Sequence, residues 1–209
     1  MTSPMTSPAE DPACSAAHGH DAAADPAGAA VRGHSEAPDA DAIAHGTAPA
    51  PAADPAADKV LVAIFASPVA RFLLRYAADV GYRALLLEPD PDRARDAKAA
   101  GFDLAGRLDD FPAGTADVVM TDHHRPELGV LLRDALASDA RWIGLMGNAR
   151  HVGPHVAALT ELGVPAGQIA RVHRPIGLSI GSRTPPEIAI STIAGLIAER
   201  NGRPGGFEF

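Results

Sequence analysis

Val60-Leu61-Val62-Ala63-Ile64-Phe65-Ala66-Ser67-Pro68 is the stretch whose reading decides the fold. The unbroken apolar run from Val60 to Phe65 is what a strand buried on both faces requires. Ser67 can cap the helix that follows, and Pro68 then takes the first helical position, where a missing N–H costs nothing. Val69, Phe72, Leu73, Tyr76 and Val80 recur at helical spacing, and Gly81 ends that helix. Working outward, Ala84 to Glu88 reads as a second buried strand, and Asp92 to Ala100 as a helix stopped by Gly101. The rhythm repeats: Asp117–Thr121 strand, Glu127–Ala137 helix, Arg141–Gly144 strand, Val152–Leu162 helix. Ile169–His173 reads as a short last strand, and Thr184–Arg200 as the longest helix. This alternation predicts an α/β domain, a three-layer sandwich with a mostly parallel sheet.

The chain ahead of this body has a different composition. From Met1 to Ala57 it is built of Ala, Pro, Asp, Gly, Ser and His, and Ile43 is its only Ile, Leu, Phe, Trp or Tyr. Such a segment cannot bury enough apolar surface to offset the entropy of ordering its backbone, so residues 1–57 are predicted to be a disordered tail and 58–209 the domain. Eight acidic residues and one basic one, Arg32, give the tail seven of the eight net negative charges. The body is nearly neutral, with no footprint for nucleic acid. Cys14 is the only cysteine, which rules out an intramolecular disulfide and points to a reducing compartment. With no basic and apolar leader at its start and no run long enough to span a membrane, the expectation is a cytoplasmic protein. Cys14, His18, His20, His34 and His45 match no closed zinc pattern, and no metal site is predicted.

Two loops stand out. Pro175-Ile176-Gly177-Leu178-Ser179-Ile180-Gly181-Ser182-Arg183-Thr184-Pro185-Pro186-Glu187-Ile188-Ala189 is glycine-jointed and runs into a marked helix start. Thr184 as N-cap, Pro185 after it and Glu187 three residues on make a capping box. Gly177 and Gly181 allow close backbone approach, and with Ser182 and Arg183 the helix start is a candidate anion site. Ala140-Arg141-Trp142-Ile143-Gly144-Leu145-Met146-Gly147-Asn148-Ala149-Arg150-His151 has the same character, a short apolar strand breaking at Gly144 and turning through Gly147. Together with Val118-Val119-Met120-Thr121, these segments resemble the C-terminal, Rossmann-like domain of the XdhC/CoxI family, from about Lys59 to the end of the chain.

The resemblance implies a Rossmann-like fold and an accessory role toward molybdenum hydroxylases such as xanthine dehydrogenase. It implies binding of the molybdenum cofactor, its protection during sulfuration, and delivery to the apoenzyme, with a cysteine desulfurase as a further partner. A homodimer is left open. Full-length relatives carry a second, N-terminal domain whose cysteine is implicated in handling the cofactor, and Cys14 does not match its motif, so no covalent step is assigned to this chain.

In parallel sheets of this kind, ligands sit beyond the carboxyl ends of the strands. Ser67, Glu88, the cluster Thr121-Asp122-His123-His124, and Gly144 with Gly147 all fall at predicted strand ends. The turn Phe65-Ala66-Ser67-Pro68-Val69-Ala70 contains no glycine where a dinucleotide fingerprint needs several, so NAD(P) in the usual pose is disfavoured. Glu88 stands about twenty residues on, either to meet a ribose hydroxyl or merely as a strand-end carboxylate. Asp122 either grips a ligand with His123 or caps the next helix. Arg150, beside Asn148, can pair with a phosphate such as that of a pterin cofactor, and Arg183 with Gly181, Ser182 and Thr184 carries the same argument. His155 and His173 read as structural. Three functions compete: a molybdenum cofactor-handling accessory protein, an NAD(P)-dependent oxidoreductase, and a scaffold without ligand.

Overall fold

The computed structural model describes residues 59–147 and 153–206. The expected tail, with its disorder and its cysteine, lies outside the described residues. So do Asn148, Arg150 and the aromatic end of the chain.

The body is a five-stranded sheet with strand order β2-β1-β3-β4-β5 and every pairing parallel. The strands are β1 (Val60–Ile64), β2 (Arg83–Leu87), β3 (Ala116–Met120), β4 (Trp142–Leu145) and β5 (Val172–His173). The helices are α1 (Pro68–Asp79), α2 (Pro91–Ala99), α3 (Leu128–Ala137), α4 (Pro154–Glu161), α5 (Ala166–Ile169) and α6 (Pro185–Arg200). This is the Rossmann-like α/β arrangement. The chain leaves β1 toward β2 and then returns across it to β3, so the switch point lies between the carboxyl ends of β1 and β3.

Period-two alternation sorts the strand side chains onto two cores. Val60, Val62 and Ile64 join Val118, Met120 and Leu145 beneath α3 and α4, through Leu128, Leu132 and Leu159. Leu61, Ala63, Leu86 and Val119 face α1 and α6, through Leu73, Leu74, Ile193 and Leu196. All five residues of β1 and of β3 are buried, which is why β1 reads as a continuous apolar run, whereas β3 carries the buried Asp117 among its apolar residues.

Two expectations need correction. Ile169 is not in a strand: Pro165 starts the short helix α5, which holds Ala166–Ile169, and only Val172 and His173 pair with β4. Phe65 is not part of β1 either. Its φ of 76° puts it in the left-handed region, breaking the strand one residue early.

Candidate functional site

The β1 turn comes first, because in this fold it is where a dinucleotide would lie. Phe65 holds the left-handed conformation that such a turn normally gives to glycine, at a cost of about 1–2 kcal/mol. Its ring is fully buried and the Arg125 guanidinium sits over it, 4.9 Å from the centroid. The next N–H, of Ala66, donates to Glu88 Oε2 at 2.7 Å. Asp90 N donates to Glu88 Oε1 at 3.0 Å, and Arg125 donates to both oxygens, at 3.1 and 3.4 Å. A carboxylate has about four lone-pair sites, and these are taken. Glu88 is therefore not poised for a ribose hydroxyl: it is a fully enclosed strut between β2 and the turn.

Ser67 and Thr121 belong to the same frame. Ser67 caps α1, its Oγ accepting from Ala70 N at 3.0 Å while its hydroxyl donates to Thr121 Oγ1 at 3.0 Å. Thr121 passes its own proton to the Phe65 carbonyl at 2.8 Å, with the Ile64 carbonyl at 3.0 Å. The pair staples the β1 turn to the end of β3.

Asp122 does not cap the next helix. Its Oδ1 accepts from His124 N at 2.9 Å, and the residue that opens α3 is Glu127. That bond turns the chain so that His123 points back to the sheet. Burial and the neighbouring His124 hold the His123 imidazole below its ordinary pKa, while a hydrogen bond to the Met146 backbone pulls the other way.

The glycines do different work. A Cβ at Gly144 would meet the Trp142 indole at 2.2 Å and Ile176 at 2.8 Å. Gly177, with φ of 84°, leaves room for Ser191 of α6, whose side chain and backbone would lie within 2.6–3.0 Å of a Cβ. Both are packing glycines, which corrects their assignment to a ligand. Gly147 is different: the group a Cβ would strike is the Arg174 guanidinium, at 2.7 Å from Nε. Arg174 also lowers the pKa of His123 and of buried His155, so it is the cation nearby that sequence reasoning missed.

The start of α6 does not form the expected anion site. Glu187 turns back and accepts from Arg183 N at 2.8 Å and Thr184 N at 3.0 Å, and Pro185 and Pro186 have no N–H. The donors an anion would use are spent or absent. Those two bonds hold the Glu187 carboxyl below its ordinary pKa. The Arg183 side chain does not line the cavity described next.

That cavity, of about 440 Å³, opens between the ends of β3 and β4, the first turn of α1 and the side of α6. Thr121, His123 and Gly147 of the strand ends line it, with Ser182 of the loop before α6, and with Ser191 and Thr192, which the sequence reading did not single out. The missed pair had a signal: two adjacent hydroxyl residues inside an otherwise apolar helix, where each must return its proton to a carbonyl. Apolar Val69, Met146, Ile176 and Ile188 complete the wall, and among the described residues no charged side chain lines it. Such a size falls within the range of about 300–1,000 Å³ typical of small-molecule sites. A larger cleft, of about 710 Å³, lies at the opposite, amino edge of the sheet, beside Gly114 and Asp139. Among the described residues, no group of three or more His, Cys, Asp or Glu side chains is arranged to hold a metal. No helix of the described residues is long and apolar enough to cross a membrane.

Comparison with known proteins settles the family. The pattern of the XdhC Rossmann domain matches residues 61–196. The chain belongs to the XdhC family. Over 99 residues it is 36% identical to YqeB, an uncharacterized protein of Escherichia coli K12. That alignment covers 47% of this chain and only 18% of the relative. A crystal structure of a xanthine dehydrogenase from Bacillus halodurans superposes with a TM-score of 0.54 at 23% identity. It covers 72% of this chain and 45% of that one, and at this identity it speaks for the fold alone. The chain thus spans less than half the length of either protein.

Proposed function

We propose that this XdhC domain binds the molybdenum cofactor at the carboxyl edge of its sheet and hands it to a molybdenum hydroxylase of the xanthine dehydrogenase type. Family membership supports an accessory role, and the Bacillus halodurans relative is itself described as a xanthine dehydrogenase. The observation that carries the reading is the closed β1 turn. The Ala66 N–H, which a dinucleotide phosphate would need, is bound to Glu88, and the open cavity is displaced to the α6 side. A nicotinamide-dependent reaction needs that turn, whereas a cofactor carrier needs a sheltered cavity of small-molecule size and no catalytic group of its own.

In this reading His123, Ser182, Ser191 and Thr192 hold the cargo, and Ser67 with Thr121 keeps the cavity floor in shape. The apoenzyme docks over the opening, and a cysteine desulfurase approaches the same edge. Anaerobic titration of purified protein with molybdenum cofactor, with NAD(P) in parallel, tests it. Stoichiometric cofactor binding without nucleotide binding is expected. Nucleotide binding without cofactor overturns the proposal in favour of an oxidoreductase, and binding of neither overturns it in favour of a scaffold.

A further inference from the structure

A separate cavity, of about 360 Å³, lies at the β2 edge of the sheet, and α1 stands between it and the cavity described above. From α1 it is lined by Ser67, Ala70, Arg71 and Leu74, and from α2 by Arg93, Asp96, Ala97 and Ala100. Each set follows the i, i+3, i+4, i+7 spacing of one helix face, so the two helices turn these faces toward each other. On a helix laid against a sheet, that face ordinarily carries the large apolar residues that interlock with a neighbour. On α2 it carries an arginine, an aspartate and alanine instead, and Ala97 is its one buried residue. The faces therefore stand apart, and Leu74, Leu86 and Phe102 make an apolar floor between them.

The charges on this face are not those that hold α2 itself. Asp90 caps the helix, accepting from Asp92 N at 2.9 Å and Arg93 N at 3.0 Å, and Arg95 pairs with Asp92 at 2.9 Å. None of Asp90, Asp92 and Arg95 lines the cavity, whereas Arg71, Arg93 and Asp96 do. Two guanidinium groups from two helices and one carboxylate thus meet over an apolar floor.

We infer that this cavity binds a free apolar α-amino acid, its carboxylate between Arg71 and Arg93, its ammonium at Asp96 and its side chain on Leu74, Leu86 and Phe102. The guanidinium fork matches a carboxylate in shape as well as charge. A plain carboxylic acid or a phosphate would bring its charge up to Asp96 with nothing to offset the repulsion, and a plain amine would meet two cations. A zwitterion with an apolar body complements every group on the wall. The volume falls in the range of about 300–1,000 Å³ of small-molecule sites. The inference does not depend on what the first cavity carries. The two cavities are nevertheless joined, because Ser67 lines this one and donates to Thr121 of the other at 3.0 Å.

Isothermal titration calorimetry of the full chain tests it, with L-phenylalanine and L-leucine as probes. Each is compared with its deaminated counterpart, 3-phenylpropionate or 4-methylpentanoate, and its decarboxylated one, phenethylamine or 3-methylbutylamine. Binding of an amino acid at least about fivefold tighter than either counterpart is expected, because each counterpart leaves a charged group of the wall without its ion. Arg93→Gln is expected to weaken the amino acid and the carboxylate about fivefold to tenfold and to leave the amine nearly unchanged. Asp96→Asn is expected to weaken the amino acid and the amine and to spare the carboxylate. Both positions are exposed, so the fold is expected to survive, and far-UV circular dichroism checks it. Arg71→Gln is the second variant should Arg93→Gln fail to fold.

A deaminated counterpart that binds as tightly as its amino acid overturns the assignment in favour of an apolar carboxylate. Amino acid binding that neither substitution changes puts the ligand elsewhere and overturns it too, as does failure of both amino acids to bind. Failure of molybdenum cofactor binding with amino acid binding intact sinks the proposed function and leaves this inference standing.

Discussion

At its amino end the sheet closes on Asp117, and at its carboxyl end on Glu88; both carboxylates are wholly buried and both are held by arginine. Asp117 accepts from Arg141 Nε at 2.7 Å, Arg200 Nε at 2.9 Å and Tyr82 Oη at 3.1 Å. Arg141 reaches on to Glu199, and Arg200 lies over the Tyr82 ring. This cluster clamps the last turn of α6 to the starts of β3 and β4. Glu88 instead ties β2 and Arg125 to a backbone N–H of the β1 turn, and by doing so shuts the place where a nucleotide phosphate would sit. Charge is thus used at both ends to hold the chain, while among the described residues no charged side chain lines the adjoining cavity. A buried ion pair adds little net stability but is costly to break from one side, which makes each end separately testable.

The largest expected effect is at the amino end. Asp117→Asn leaves two arginines facing a neutral amide, and a loss of about 3–4 kcal/mol is expected in urea unfolding. Glu88→Gln strands only Arg125, which keeps Glu127 as a partner at 3.2 Å, so a smaller loss of about 2 kcal/mol is expected. Equal losses would mean that the two carboxylates are not distinguished by how many cations depend on them. Phe65→Gly sharpens the carboxyl-end half of the comparison. Relief of the left-handed conformation returns about 1–2 kcal/mol, and loss of the buried ring costs about 3–5 kcal/mol. Net destabilisation of about 2 kcal/mol is expected by thermal melting, and a stabilised variant would show that strain outweighs packing there.

The smallest effect is a pH dependence. Burial first, then the charge of Asp117, pushes the Tyr82 phenol up to about 12. The unfolded chain then ionises Tyr82 near 10 while the folded one keeps its proton, so this contribution is present below pH 10 and is lost as pH rises toward 12. A fall of at most about 2 kcal/mol is expected across that window, and Tyr82→Phe should flatten it. An unchanged slope in that variant would assign the alkaline fall to another group.

Much of this molecule was legible in the chain itself. The buried runs of β1 and β3, the Ser67-Pro68 start of α1 and the Thr184–Glu187 capping box depend on neighbours in sequence, and they stand where local chemistry puts them. Ile169 did not, because Pro165 opens a helical turn that a short apolar run cannot reveal. At the site, the strand-end argument drew Thr121, His123 and Gly147 to one cavity, since topology alone brings strand ends together, and Ser182 of the loop before α6 joins them. Gly144 and Gly177, both singled out for a ligand, have missing side chains that make room for Trp142 and Ser191.

What the sequence determined was the element order, the parallel sheet and, through the resemblance carried by its two loops, the family. The element order and the sheet follow from periodicity, capping and composition, which act over a few residues at a time. Only the tertiary structure decided that Glu88 is a strut and that Ser191 and Thr192 line the cavity. The physical reason is that a polar group's function depends on which of its hydrogen bonds are already made, and those partners come from 22 residues away for Ala66 and Glu88 and 13 for Leu178 and Ser191.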